Sequence, residues 1–101
     1  MLMSSKIRDI GVVDMKKIAF DNNKNVVSRL LKQYRIQQQM TQQDLACKMQ
    51  TMGVNLDQQM ISKIESNNRM VTDSELACFC IALKIQPNDL LADFLNSMET
   101  K

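Results

Sequence analysis

Histidine and tryptophan are absent from this 101-residue chain, glycine occurs twice, proline once, and the aromatic residues stop at one Tyr and three Phe. Each scarcity removes a class of function. Without His there is no imidazole to act as general base and none to ligate a transition metal. Two glycines cannot build a glycine-rich loop that cradles a phosphate. No nucleophile sits beside a base, so an enzyme is not expected. Little Gly and Pro argues against a β-rich fold and for helices joined by short connections. A core so poor in aromatics must be aliphatic, with nine Met to fill gaps. No apolar run approaches the roughly 20 residues a membrane span needs. The start, MLMSSKIRDIGVV, has neither a long apolar stretch nor a small-residue cleavage site. It is not read as a signal peptide, and a cytoplasmic location is expected.

The three cysteines agree with that compartment. Cys47, Cys78 and Cys80 are odd in number, no two form Cys-x-x-Cys, and Cys78 and Cys80 point roughly 200° apart if helical. They read as small apolar packing residues or half-buried thiols. No metal, cofactor or small-molecule ligand is expected. The length suits one domain with a core of its own. The overall charge of +2 says little, but its distribution says more. Residues 24–69 carry seven cations against three anions, and residues 70–101 carry two against five. A basic half beside an acidic half suits a surface with one face turned to a polyanion.

Along the chain, four or five helices are expected. Residues 1–23 lack helical periodicity and read as an arm, flexible or strand-like, that ends in the turn-prone cluster Asp21, Asn22, Asn23 and Asn25. Met15-Lys16-Lys17 resembles an ordinary translation start, which would make the residues before it an extension. A domain over 24–96 and a short tail over 97–101 complete the division. Val27, Leu31 and Tyr34 give one apolar face and predict a first helix from about residue 24 or 25 to Gln38. Thr41 caps the second helix, with Asp44 completing a near capping box, Leu45, Ala46, Met49 and Met52 facing inward, and Gly53 as the stop.

Asp57 caps a third helix over about 58–66, with Met60, Ile61 and Ile64 inward. Gln58, Gln59, Ser62 and Lys63 are left outward, a set that can both donate and accept hydrogen bonds. A Gln amide can pair bidentately with the N6 and N7 edge of adenine, so this face suits reading of base edges in a major groove. The alternative for Gln58 and Gln59 is that they are solvated surface residues. The fourth helix starts at Thr72 or Asp73, with Glu75 completing the box, and buries Leu76, Phe79, Cys80 and Leu83. The fifth starts at Pro87 with Asp89 in its first turn and carries Leu90, Leu91, Phe94 and Leu95. Phe94 and Leu95 either close the monomer core or form a dimer contact.

The run Met40-Thr41-Gln42-Gln43-Asp44-Leu45-Ala46, then Ile61-Ser62-Lys63-Ile64-Glu65 and Ser66-Asn67-Asn68-Arg69, with Arg35 on the helix before, resembles the Cro/C1-type helix-turn-helix pattern over about residues 25–92. Asp57-Gln58-Gln59 also looks like the start of recognition helices in lambdoid phage repressors. The resemblance implies an all-α, compact four- to five-helix lambda-repressor-like domain. It implies that Gln58, Gln59 and Ser62 touch base edges, with Lys63 at a base or phosphate. Gln42 would hold a phosphate and brace the recognition helix, Asn67, Asn68 and Arg69 would grip the DNA backbone, and Arg35 would pair structurally with Glu65. The chain departs from the compact pattern by about five more residues between Ala46 and Ile61, which lengthens the second helix and its connection. The usual Gly after the first helix is Gln39, so strain or a different turn is expected there.

The implied function is that of a transcriptional regulator, a repressor, binding a palindromic double-stranded operator as a homodimer with one recognition helix in each of two major grooves. The competing reading is a protein-interaction module, an antitoxin or an antagonist of another regulator. The acidic C-terminal half and the apolar residues of the fifth helix favour that alternative.

Overall fold

The computed structural model describes residues 22–99, and the expected arm and the Met15 start lie outside them, save Asn22 and Asn23. Among the described residues there are six helices and no strand: α1 Ser28–Gln37, α2 Gln42–Thr51, α3 Gln58–Glu65, α4 Asp73–Leu83, α5 Pro87–Leu90 and α6 Ala92–Glu99. The expected all-α fold is what forms. The fifth expected helix is in two pieces, broken at Leu91, and its second piece runs to Glu99.

The helix starts follow the capping chemistry. The Thr41 hydroxyl accepts from Asp44 N at 2.9 Å while the Asp44 carboxylate accepts from Thr41 N at 2.9 Å. Thr72 and Glu75 repeat the arrangement at the start of α4, and Asp57 accepts from Met60 N at 2.8 Å to open α3. Each cap satisfies N–H groups that a helix start leaves unpaired. The start of α1 is different. It begins at Ser28, later than periodicity suggests, with Val27 as N-cap and no side-chain cap. Asn25 is drawn out of the helix by bonds to distant backbone, described below.

Four helix ends share one device. After α1, α2, α3 and α4 the chain turns through a left-handed residue: Gln39 (φ 61°), Gly53 (φ 85°), Asn67 (φ 64°) and Lys84 (φ 58°). In each case two backbone bonds close the end, as when Gly53 N donates to Gln50 O and Val54 N to Met49 O, both at 3.0 Å. This is the Schellman pattern, for which glycine is the cheapest residue. Only Gly53 is glycine. The expected strain at Gln39 is therefore real and recurs at Lys84.

Phe79, Leu31, Leu45, Met49, Leu56, Ile61, Ile64, Leu83 and Leu90 are fully buried, and apart from Leu56 they come from helices α1 to α5. Each such side chain contributes about 1.5–3 kcal/mol of burial, largely offset by chain entropy. Met52, expected inward, is only half-buried. Leu56 sits 1% exposed in the long connection between α2 and α3, where Gln50 Nε2 also donates to Leu56 O at 3.0 Å. The connection is thus pinned to the core, and α3 is held by its own hydrophobic residues and by the linker before it. No helix among the described residues is long and apolar enough to cross a membrane.

Candidate nucleic-acid interface

Helices α2 and α3, with the connection between them, form a helix-turn-helix unit. Ile61 and Ile64 are fully buried, so α3 can expose only the opposite side. Gln58, Gln59, Ser62 and Lys63 fall within roughly 140° of that side at 100° per residue. Gln59 and Lys63 are exposed, and Gln58 and Ser62 are half-buried. No large apolar side chain stands among them.

Beneath this face runs a chain of polar contacts. Arg35, 8% exposed, donates from Nε to Glu65 Oε2 at 2.7 Å and from Nη2 to Oε1 at 3.0 Å. Its remaining nitrogen donates to Met40 O at 2.7 Å, which ties the turn after α1 to the same group. Glu65 Oε1 also accepts from Gln42 Nε2 at 3.0 Å. Gln42 Oε1 in turn accepts from Gln58 Nε2 at 2.6 Å. Four residues from three helices are thus linked from the core to the surface. Arg35 is buried and paired, so it is not presented to a polyanion. A bidentate pair of this kind holds geometry more than it adds stability, but loss of either partner leaves a buried charge uncompensated.

The loop after α3 is occupied differently from an open basic grip. The Asn67 side chain accepts from Lys24 N at 2.8 Å and Asn25 N at 3.1 Å, and it donates to Asn23 Oδ1 at 2.7 Å. Asn68 is exposed and donates to Ser66 Oγ at 3.0 Å. Arg69 is half-buried against Glu75, with contacts at 3.0 and 3.2 Å, and it also donates to Met70 O. Burial pushes the Glu75 carboxyl up, but the bonds from Arg69 and Thr72 and the Arg69 charge outweigh it and hold it below its ordinary value. Among the described residues Lys63 is the one cation on the α3 face, and Arg69 arrives at that side with its charge already balanced by Glu75.

Asn25 and Glu75, seen from sequence only as a turn former and a cap, both bond to the segment that follows α3. Asn25, 9% exposed, donates from Nδ2 to Ile64 O and Arg69 O, both at 2.9 Å, and its Oδ1 accepts from Val27 N at 3.0 Å. It closes the C-terminal end of α3 from across the fold. Glu75, seen from sequence only as a cap, is the partner of Arg69. Nothing local marks either role, because both depend on contacts between separate segments.

The remaining expected positions are peripheral to this face. Phe94 is half-buried, and Leu95 (37%) and Met98 (38%) are exposed on α6. Asp93 on the same helix is bound bidentately by Arg29 of α1 at 2.7 and 2.8 Å, and those bonds hold its carboxyl below the ordinary range. Cys80 is buried, and burial raises its thiol pKa; Cys78 is half-buried. Cys47 is exposed, unlike the packing thiol expected, with the Gln43 amide 3.6 Å away. No cluster of three or more metal-ligating side chains exists among the described residues.

No curated protein and no solved structure matches the chain significantly. The family model described as Cro/C1-type HTH DNA-binding domain matches residues 25–94, which takes in all of α1 to α5 and the first part of α6. With its capped α2, its pinned turn and its polar-faced α3, the chain belongs to the family of Cro/C1-type helix-turn-helix DNA-binding domains.

Proposed function

We propose that this protein is a sequence-specific reader of double-stranded DNA that acts as a transcriptional repressor, with α3 in the major groove. The observation that carries this is the α3 face itself. Gln58, Gln59, Ser62 and Lys63 stand together on a helix anchored by Ile61 and Ile64, and all four can hydrogen-bond base edges or phosphates. Gln58 and Gln59 read bases, Ser62 assists, and Lys63 meets a base or a phosphate. Gln42 has one Nε2 hydrogen left after Glu65 and can give it to a phosphate oxygen, which only accepts.

Asn68 is the most accessible backbone contact in the loop, and Arg69 adds charge there to the extent that DNA competes with Glu75. Asn67 contributes by holding the loop in shape. The exposed Leu95 and Met98, next to the partly covered Phe94, fit a homodimer contact, and two recognition helices would then fit a palindromic operator with half-sites about one helical turn apart.

The test is selection of bound duplexes from a randomised pool, followed by sequencing. Enrichment of a two-fold symmetric site is expected. Binding without any enriched sequence would sink the base-reading role. A tight protein partner that ignores Gln58→Ala and Gln59→Ala would favour the interaction-module reading, for which the acidic 70–101 segment is the supporting feature.

A further inference from the structure

We propose that the buried Arg35–Glu65 ion pair sets the direction of the Gln58 amide, through Gln42, and so makes Gln58 a reader of adenine against guanine. This rests on the DNA-reading function proposed above.

The argument is one of donors and acceptors. A carboxylate has acceptors only. Glu65 Oε1 lies 3.0 Å from the Gln42 amide, so Gln42 must turn its nitrogen there. The amide oxygen then points the other way, toward Gln58 at 2.6 Å. An oxygen only accepts, so Gln58 must turn its nitrogen toward Gln42. What remains on Gln58 is one N–H and an amide oxygen, neither with a protein partner among the described residues. One donor beside one acceptor matches N7 and the N6 amino group of adenine. Turned the other way, Gln58 would spend its oxygen on Gln42 and present two N–H donors, which suit N7 and O6 of guanine.

The source of the polarity is the anion at the buried end. Glu65 is itself fixed by two bonds from Arg35, whose third contact to Met40 O locks the guanidinium in place. Glu65 and Arg35 touch no base in this arrangement. They are positioning residues, and their influence on specificity runs through a neutral pair of amides that could otherwise flip together.

The test begins with the site selected by the full chain. Affinities are then measured for duplexes changed from A·T to G·C at each position in turn. Gln58→Ala identifies the base pair that Gln58 reads. Arg35→Met combined with Glu65→Met removes the ion pair without leaving a lone buried charge, an exchange that proteins often tolerate. Folding is checked by circular dichroism and thermal melting.

We expect the A:G preference at the Gln58 position to fall at least tenfold, while preferences at other positions and affinity for random duplex change less than about threefold. Gln42→Met keeps the ion pair, and so remains informative if the double variant does not fold. It should lose the same preference, together with a sequence-independent loss from its phosphate contact. An unchanged A:G ratio in the foldable variants, with Gln58→Ala still abolishing it, overturns the relay and leaves the base-reading role standing. Absence of any preference that depends on Gln58 in the unaltered protein overturns both.

Discussion

Replacing Asn25 by Ala should be among the most damaging single changes outside the hydrophobic core. The side chain is small and its contribution to packing slight, so the effect comes from three bonds. Arg69 O loses its side-chain donor, Ile64 O keeps only the bond from Asn67 N, and Val27 N loses its acceptor. Val27 is 3% exposed, so water cannot readily replace the carboxamide at its N–H. An unsatisfied buried backbone group costs about 1–3 kcal/mol. Arg69 O lies nearer solvent and can recover a water. One group at that cost gives a loss of about 1–3 kcal/mol, against a total stability of roughly 5–15 kcal/mol for a domain of this kind. The corresponding fall in Tm is roughly 4–24 °C. Urea denaturation at pH 7 reads the effect directly, with an unchanged m-value if both proteins unfold in two states. Asn25→Asp should be at least as damaging at that pH, since it sets a carboxylate against two carbonyl oxygens. A loss below about 1 kcal/mol for Asn25→Ala would refute the reasoning, because it would mean that the loop can open to water without disturbing α3.

Gln59→Ala should cost roughly 1–3 kcal/mol on the selected operator and little on random duplex, measured by fluorescence anisotropy. Arg69→Ala should weaken binding to all sequences alike and lower the salt slope by about one unit at most, because Glu75 already balances part of that charge; Glu75→Gln should tighten binding to every duplex at low salt, and a sequence-selective effect of either change would contradict this division of roles. Stability should be flat between pH 5.5 and 7.5, since the chain has no His. It should then fall in acid: the carboxyls of Glu75, Asp44 and Asp93 are held below their ordinary values of 4.5, 3.8 and 3.8, so their contribution is present above those values and disappears as pH drops through the lowered ones. A series of melting curves from pH 7 to pH 2.5 checks both parts. Lys84→Gly should raise stability by about 0.5–1 kcal/mol by relieving the left-handed strain at the end of α4, and a loss on chemical denaturation would show that the lysine side chain does more there than its φ suggests.

The parts legible in the sequence are those that one segment decides alone. Thr41 with Asp44, Thr72 with Glu75, and Asp57 announce helix starts because a cap bonds to N–H groups two or three residues ahead. The inward positions of Leu45, Ala46, Met49, Ile61 and Ile64 follow from period 3.6. Once Ile61 and Ile64 are inside, Gln58, Gln59, Ser62 and Lys63 have only the other side of the helix to occupy. The split of the fifth expected helix at Leu91 was not legible, because Pro87 and Asp89 mark a start and nothing in the sequence marks the interruption.

What the tertiary structure alone decided is which polar groups meet. Asn25 reads as a turn residue, yet it is buried and bonds to backbone about 40 residues away. Asn67 and Arg69 read as an open basic loop, yet one holds residues 23–25 and the other faces Glu75. The sequence determined that α3 would carry glutamines outward. Only the fold determined that one of them rests on Gln42 and, through it, on a buried anion. The physical reason is the same in each case. Apolar burial is non-directional and depends on periodicity, which a single helix records in its own order of residues. A hydrogen bond needs a donor and an acceptor within about 3 Å at a defined angle, and for residues far apart in the chain that condition exists only after the helices have packed.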